Sequence, residues 1–350
     1  MNQRQAMIPT LFFACLFPIL TVAQEEESPS RLPDYPIPLL DESMIEPHPP
    51  LIQIGPGLMS TGRLERGFDV PGGAVWRPSF WVYGNLRSGV NLVDPGGSGE
   101  RIVEWAQRLD IFGNLQLNGT ERFLIGMQPL HQRGSFSRYV FEPESEEGWV
   151  DETNTRLTTF FFEGELSELI PALDPDGTRK LDYGFSVGRW KVDLQDGLLV
   201  NDMMDAVGIT RFVAVPGTAT TRMTLIAGWD EVSRDNNLLS EGSRYLSFSA
   251  EADTYKSTID LDVVHVEAPI AEGGSGWFFG WGSSQRIKYD GESYNTTFRI
   301  CSSIAEEDDN PAISDGTLFF AEASKTPIGT SDMAYATFFL GIDEYASAAR

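Results

Sequence analysis

Apolar and polar residues alternate along most of the chain from Trp76 onward. In residues 79–92 the apolar side chains favour even positions, whereas Asn85 and Arg87 occupy odd ones. Because successive side chains of a strand point to opposite faces, this pattern predicts a strand with one apolar and one polar face. We predict roughly a dozen such strands. The other segments that alternate are 104–118, 122–128, 160–166, 180–187, 189–195, 222–229, 246–253, 259–263 and 294–300, and more weakly 275–282, 316–322 and 333–342.

The connections between these segments carry turn-forming residues, such as Asp94-Pro95-Gly96-Gly97 and Asp290-Gly291. Glycine and proline supply the backbone angles that tight turns need. No long segment repeats its apolar residues with the 3.6-residue period of a helix. The pattern therefore predicts an all-β chain in an antiparallel, up-and-down arrangement. In segment 180–195 the apolar parity changes between Val187 and Trp190.

Two all-β folds share this alternation. In a soluble β-sandwich the apolar faces form the core, whereas in a transmembrane barrel they face lipid and the polar faces line the lumen. The long segments 79–92 and 104–118, and charges along whole strands, favour a transmembrane β-barrel of roughly 12–16 strands. Aromatic residues near predicted strand ends, where a barrel places its interfacial girdles, are Trp76, Trp105, Trp190, Trp229, Trp277, Tyr245 and Tyr294.

The N-terminal part has a different composition. Residues 7–23 are almost entirely apolar and end in Thr21-Val22-Ala23, the pattern of a secretory signal peptide over residues 1–23. Residues 24–75 begin with acidic residues and are rich in proline, which disfavours helices and central strands. We expect a Pro-rich leader there and the β-barrel over residues 76–350, with the end of the leader near Leu51–Ile54 docking on the barrel.

Composition excludes several kinds of chemistry. The chain has 51 acidic and 26 basic residues and a formal net charge of −25, which opposes binding to nucleic acid. Two cysteines, of which Cys15 lies in the signal peptide, and three histidines offer neither a disulfide framework nor a zinc site. No nucleophile, metalloprotease or phosphate-binding motif is present. We therefore expect no enzyme activity, no metal and no cofactor.

Charged residues on the polar parity are the candidate pore-lining residues. They are Arg87, Arg108, Arg122, Arg189, Lys191, Asp193, Arg222, Glu251, Asp253, Asp260 and Asp262. The basic residues fall mostly in the first half of the chain and the acidic ones in the second. Since consecutive strands are neighbours in an up-and-down barrel, this order predicts a basic wall opposite an acidic one.

Residues 188–211, from Gly188-Arg189-Trp190 through Gly197-Leu198-Leu199 to Thr210-Arg211, resemble a segment of the alginate-export and related porin-like outer-membrane proteins. The resemblance extends loosely to residues 104–128. It implies a bacterial outer-membrane channel, with the lipid bilayer as its surroundings. Small polar or anionic solutes, such as carboxylated sugars or phosphate, would pass by passive diffusion or export. Barrels of that kind close with a strand ending in an aromatic residue, and residues 345–350 do not fit that pattern. Two explanations stay open: the sequence is truncated before the last strands of the barrel, or the barrel interpretation is wrong in detail.

Two other classes of function stay open. One is an exported soluble β-sandwich that binds or cleaves glycans, using tryptophan and tyrosine as sugar platforms. The other is a structural or adhesive surface protein.

Overall fold

The computed structural model describes residues 50–55, 66–96, 99–132, 134–176, 178, 180–234, 239–289, 291–307, 309–327, 330 and 332–350. The expected signal peptide and most of the leader lie outside these residues. In the described part of the chain, no helix has the length and apolar composition to cross a membrane.

Almost all regular structure is β-strand. In chain order the strands are β1 (Ile52–Ile54), β2 (Phe68–Asp69), β3 (Val75–Trp76), β4 (Ser79–Val93), β5 (Ile102–Gln116), β6 (Arg122–Met127), β7 (His131–Gln132), β8 (Ser135–Glu142), β9 (Gly148–Val150), β10 (Leu157–Glu165), β11 (Gly184–Leu194), β12 (Val200–Phe212), β13 (Thr220–Trp229), β14 (Val232–Ser233), β15 (Leu239–Ser240), β16 (Arg244–Asp253), β17 (Ser257–Glu267), β18 (Gly276–Tyr289), β19 (Glu292–Ala305), β20 (Gly316–Lys325) and β21 (Ala334–Asp343). The short α-helix α1 (Leu166–Leu169) follows β10, and 3₁₀ turns lie at Glu144–Glu146, Pro171–Leu173 and Ile270–Glu272.

Seventeen of these strands belong to one sheet. Consecutive long strands pair antiparallel from β10 through β13 and from β16 through β21, and β13 pairs with β16. β5 pairs with β4 on one edge and with β6 and β8, placed end to end, on the other. This arrangement confirms the predicted all-β, antiparallel, up-and-down fold.

The sheet registers place apolar side chains in rows on one face. Leu225 lies opposite Phe248, which lies opposite Val263 on the next strand. On β17 and β18, Leu261 lies opposite Trp281. We call this the outer face, and the face that carries Arg222, Asp260 and Arg299 the inner face. The alternation predicted from the sequence is thus the alternation of the two faces.

The sheet is strongly curled, because residues from distant strands meet on its inner face. Gln195, after β11, donates a hydrogen bond to Asp262 on β17. Asn201 on β12 donates one to the carbonyl of Ala349, beyond β21. A flat sheet would hold these strands far apart, since neighbouring strands are about 4.8 Å from each other.

The end of the leader lies along β4. Ile52–Ile54 pairs antiparallel with residues 80–82, and Leu51 donates a backbone hydrogen bond to Val82. The prolines of the leader stand outside this short strand. β1 stands at one end of the strand order of the sheet, and an edge is the position that a proline-rich segment can occupy.

Glu121, in the turn between β5 and β6, is fully buried. Burial, reinforced by the nearby charges of Glu168 and Glu165, raises the pKa of this carboxyl above its ordinary value. A raised carboxyl pKa means that the folded state binds the proton more tightly than the unfolded state. Glu121 therefore destabilises the fold increasingly as the pH rises from the unfolded pKa towards the folded one.

We expect Glu121→Gln to stabilise the protein at neutral pH, because glutamine has the shape of the protonated carboxyl and no charge to bury. The gain corresponds to about 1.4 kcal/mol for each unit by which the pKa is raised, and it disappears below about pH 4. Urea unfolding of the refolded protein at several pH values measures it. The exposed Glu146→Gln is the control. A gain that is the same at acidic and neutral pH would contradict the assignment.

Candidate functional site: an inward-folded hairpin

The hairpin of β11 and β12 extends beyond the wall of the sheet. β11 and β12 pair with each other as far as Leu194 and Val200. The strands that flank this pair stop earlier. β10 pairs with β11 only up to Arg189, and β13 pairs with β12 only from Asp205 onward. Residues 190–204, which we call the hairpin, thus leave the wall.

The bend occurs at Gly188, whose φ of 132° lies in the region that favours glycine. A Cβ atom at this position would lie 2.2 Å from the carbonyl oxygen of Phe160 on β10. Glycine therefore allows the two strands to approach closely where the hairpin turns away from the wall.

The tip of the hairpin is bound to the inner face. Gln195 and Asp196 both have a φ of 55°, a tight left-handed turn. The Gln195 side-chain amide donates to Asp262 at 2.6 Å, and Nε of Arg299 donates to Asp196 at 2.9 Å. Arg299 also forms an ion pair with Asp260. Because these are hydrogen bonds to charged groups in a partly buried place, they are strong ones.

Two glycines on the inner face of β18 make room for the tip. A Cβ atom on Gly280 would lie 2.6 Å from Cγ of Gln195. One on Gly282 would lie 1.9 Å from a terminal nitrogen of Arg299 and 2.7 Å from the amide oxygen of Gln195. The sequence Gly280-Trp281-Gly282 therefore seats the tip on one face and presents tryptophan on the other.

One face of the hairpin packs on the inner wall as a small apolar core. Val192, Leu199, Val200 and Met204 from the hairpin belong to it. The wall and the loops contribute Ile226, Val232, Tyr245, Val264, Val266, Phe278, Cys301 and Ile313. The prediction that Trp190 and Tyr245 belong to an interfacial girdle is wrong, because Tyr245 is buried in this core and Trp190 packs against it.

A cavity of about 630 Å³, the inner cavity, lies between the hairpin and the inner face. Six predicted pore-lining residues line it, namely Lys191, Asp193, Arg222, Glu251, Asp260 and Asp262. The structure adds Glu163, Asp196 and Arg299. Six carboxylates thus face three basic groups, so the cavity has an excess of negative charge.

Acidic and basic groups alternate on the inner face instead of forming separate walls. Arg222 forms an ion pair with Glu251 at 2.8 Å, and Lys191 one with Asp193 at 2.7 Å. On the neighbouring part of the sheet, Arg122 pairs with Glu163 at 2.5 Å. The predicted basic wall opposite an acidic wall is therefore wrong, because the basic side chains bind acidic neighbours on the adjacent strand or, for Lys191 and Asp193, on the same strand.

Arg189 lines a second cavity of about 700 Å³, which we call the rim cavity, where the hairpin leaves the wall. Arg189 and Arg156 both form ion pairs with Glu231, and the distance between Arg156 and Glu231 is 2.5 Å. Burial alone would raise the pKa of Glu231, but the hydrogen bonds and charges of the two arginines outweigh it and lower that pKa. His131 and Arg350 also line this cavity.

The other predicted pore-lining residues lie apart from both cavities. Arg87 and Arg108 stand opposite each other on β4 and β5. Arg108 is held by Asp110 at 3.0 Å. Asp253, at the end of β16, accepts hydrogen bonds from Thr220 and Thr258.

Sequence reasoning missed the hairpin tip and Arg299. The signal for the hairpin is the change of apolar parity between Val187 and Trp190. Before Gly188 in the sequence, the apolar side chains of β11 are on the outer face. After Gly188, they pack on the inner core. The parity changes because the hairpin turns inward, while the pairing of β11 with β12 stays in register.

The described residues contain no group of three or more histidine, cysteine or acidic side chains placed to hold a metal ion. Taken together, the described fold is an up-and-down antiparallel β-sheet, curled around a hairpin and a charged inner cavity. No family model matches the sequence, and no curated protein does. The resemblance to alginate-export proteins therefore stays a prediction.

Among solved structures, this chain is similar to one titled "Salmonella typhi OmpF complex with Daunomycin". The sequences are 10% identical, and the alignment covers 77% of this chain and 93% of that chain, with a TM-score of 0.37. The functional proposal therefore rests on the residues of this chain.

Proposed function

We propose that the protein spans a bacterial outer membrane as a β-barrel and acts as a channel for the passive diffusion of small polar solutes. The hairpin is its narrow point, and the inner cavity is the space that solutes pass.

The apolar outer face is the observation that carries this proposal. Large apolar side chains are exposed on nearly every long strand, among them Leu86, Ile125, Phe160, Val187, Val207, Leu225, Phe248, Leu261, Phe279, Phe298, Phe338 and Leu340. Soluble monomers rarely expose continuous apolar surface of this extent, whereas a membrane barrel requires it. One continuous sheet with its apolar face outward also argues against a soluble β-sandwich, whose apolar faces meet in a core.

The charged inner face supports an aqueous interior. A curled sheet whose inner face carries Arg222, Glu251 and Asp260 would be costly to fill with hydrocarbon, because buried charges need water or close partners. The signal-peptide pattern of residues 1–23 supports export, which an outer-membrane location requires.

The charge of the inner cavity bears on which solutes pass. Its excess of carboxylates favours cations and neutral polar solutes. The anionic solutes expected from the sequence find basic groups mainly at the rim cavity, where Arg156 and Arg189 are shared with Glu231. We therefore propose small polar solutes, with cations preferred over anions at the narrow point.

Planar-bilayer recording of the refolded protein tests the proposal. We expect discrete conductance steps, and in a gradient of potassium chloride a reversal potential that indicates cation preference. Glu251→Gln should reduce the cation preference, because it removes one carboxylate from the inner cavity. This substitution leaves Arg299 and the hairpin unchanged. Asp151→Asn, in an exposed loop, is the control. A folded protein that never conducts would refute the channel.

A further inference from the structure

The chain turns inward after β21. Every residue of β21 is exposed, whereas residues 346–349 are all buried. The turn begins at Asp343, whose φ of 56° is unusual for a residue other than glycine. At Gly316, a Cβ atom would lie 2.2 Å from the backbone nitrogen of Tyr345, so glycine lets the segment cross the end of β20. We call residues Tyr345–Arg350 the strap.

The strap pairs with the free edge of the hairpin. The backbone N–H of Ala348 donates to the carbonyl of Leu199 at 2.9 Å, and that of Asn201 donates to the carbonyl of Ala349 at 2.8 Å. Val200 and Ala349 form a parallel bridge. These hydrogen bonds fall on the part of β12 that extends beyond the wall, where β13 no longer pairs with it.

Other contacts tie the strap to the wall and to the turn of the hairpin. The hydroxyl of Tyr345 donates to the carbonyl of Leu198 at 2.7 Å, next to the tip. The N–H of Ala346 donates to the hydroxyl of Ser303 on β19 at 3.1 Å. The strap is therefore bonded both to the hairpin and to the inner wall.

We infer that the strap is the positioning element of the hairpin, and that its release widens the channel; the second part of this inference rests on the proposed function. Besides its apolar packing on the inner wall, the hairpin is hydrogen-bonded at its tip to Asp262 and Arg299 and along its free edge to the strap. Near its base, the N–H of Ser233 also donates to Asp202. Because the strap consists mostly of small residues, Ala346-Ser347-Ala348-Ala349, it fits between the hairpin and the wall. Loss of its backbone hydrogen bonds would leave the edge of β12 without a partner.

The accessibility of Cys301 to a thiol reagent measures whether the strap is in place, and it does so independently of transport. It is fully buried in the inner core, and its thiol lies within hydrogen-bonding reach of Tyr345. Cys15 belongs to the predicted signal peptide, so Cys301 is the cysteine of the exported chain. A thiol reagent reaches a buried cysteine only through local opening of the structure.

Ala348→Asp is the variant that releases the strap, because Ala348 is fully buried and a carboxylate there would have to be solvated. We expect N-ethylmaleimide to label Cys301 about tenfold faster or more than in the unchanged protein. We also expect a larger or more variable single-channel conductance. Ala214→Asp, in the exposed turn between β12 and β13, makes the same chemical change and should alter neither readout. Heat-dependent migration on gels shows that each variant is folded.

Tyr345→Phe keeps the ring and removes the hydroxyl that binds the carbonyl of Leu198 and lies within reach of the Cys301 thiol, so it should increase labelling by a smaller factor. If folded Ala348→Asp labels at the unchanged rate, the strap does not cover the core and the inference fails. Fast labelling with an unaltered conductance would mean that the strap does not position the hairpin, which also overturns it. A protein that labels as expected but never conducts would refute the proposed channel and leave the strap in place.

Discussion

Replacing Phe248 with arginine is expected to prevent assembly of the protein in a membrane. Phe248 is exposed on the outer face, between Leu225 on β13 and Val263 on β17. A cation on the lipid face of a barrel costs about 2–4 kcal/mol at the middle of the membrane. We expect little or no heat-modifiable, folded protein in the outer-membrane fraction, measured by fractionation and by the mobility of unheated samples.

The adjacent residue provides the matched control. Ser249 lines the inner cavity and lies opposite Asp262 on β17. An arginine there would face water and a carboxylate, so Ser249→Arg should assemble normally. Equal tolerance of arginine at both positions would refute the membrane barrel, because it would mean that neither face meets lipid.

Arg299→Gln is expected to free the tip of the hairpin and to change the channel more than any other single substitution on the inner face. Arg299 holds Asp196 and Asp260, and its side chain is 7% exposed. Each hydrogen bond to a charged group contributes about 1.5–3 kcal/mol, so the population with a detached tip should increase about tenfold or more. The conductance should increase and fluctuate, as recorded from single channels in planar bilayers.

Arg222→Gln is the control for this experiment. Arg222 lines the same cavity and pairs with Glu251, but the described hydrogen bonds link it to no hairpin residue. Both substitutions remove one positive charge, so both should shift ion selectivity towards cations. Only Arg299→Gln should change the size and the noise of the conductance. If the two variants behave alike, Arg299 acts through its charge and does not hold the tip.

The fold class could be predicted because it depends on local alternation. In β16 and β17, Phe248 and Leu261 are apolar while Glu251 and Asp260 are not, and a strand places these residues on opposite faces whatever its neighbours are. The registers then bring like side chains together across strands, as with Leu225 and Phe248. Residues a few positions apart therefore predict where strands occur and which face each side chain occupies.

The candidate site was only partly predictable. Arg222, Glu251, Asp260 and Asp262 were found because they belong to regular wall strands. The pairing of Arg299 with Asp196 joins residues about a hundred positions apart and depends on the inward bend at Gly188. Alternation carries no information on such a contact, since it does not say where a strand leaves the sheet.

The sequence by itself determined that the chain alternates, that its polar face is charged and that its N-terminus has the pattern of an exported protein. Only the tertiary structure decided that the hairpin and the strap turn into the curled sheet and that oppositely charged side chains pair on its inner face. The reason is physical: alternation is set by backbone geometry over two residues, whereas the inward bend is stabilised by contacts between distant segments. Gln195 reaches Asp262, and Ala349 reaches Asn201, only once the sheet has curled.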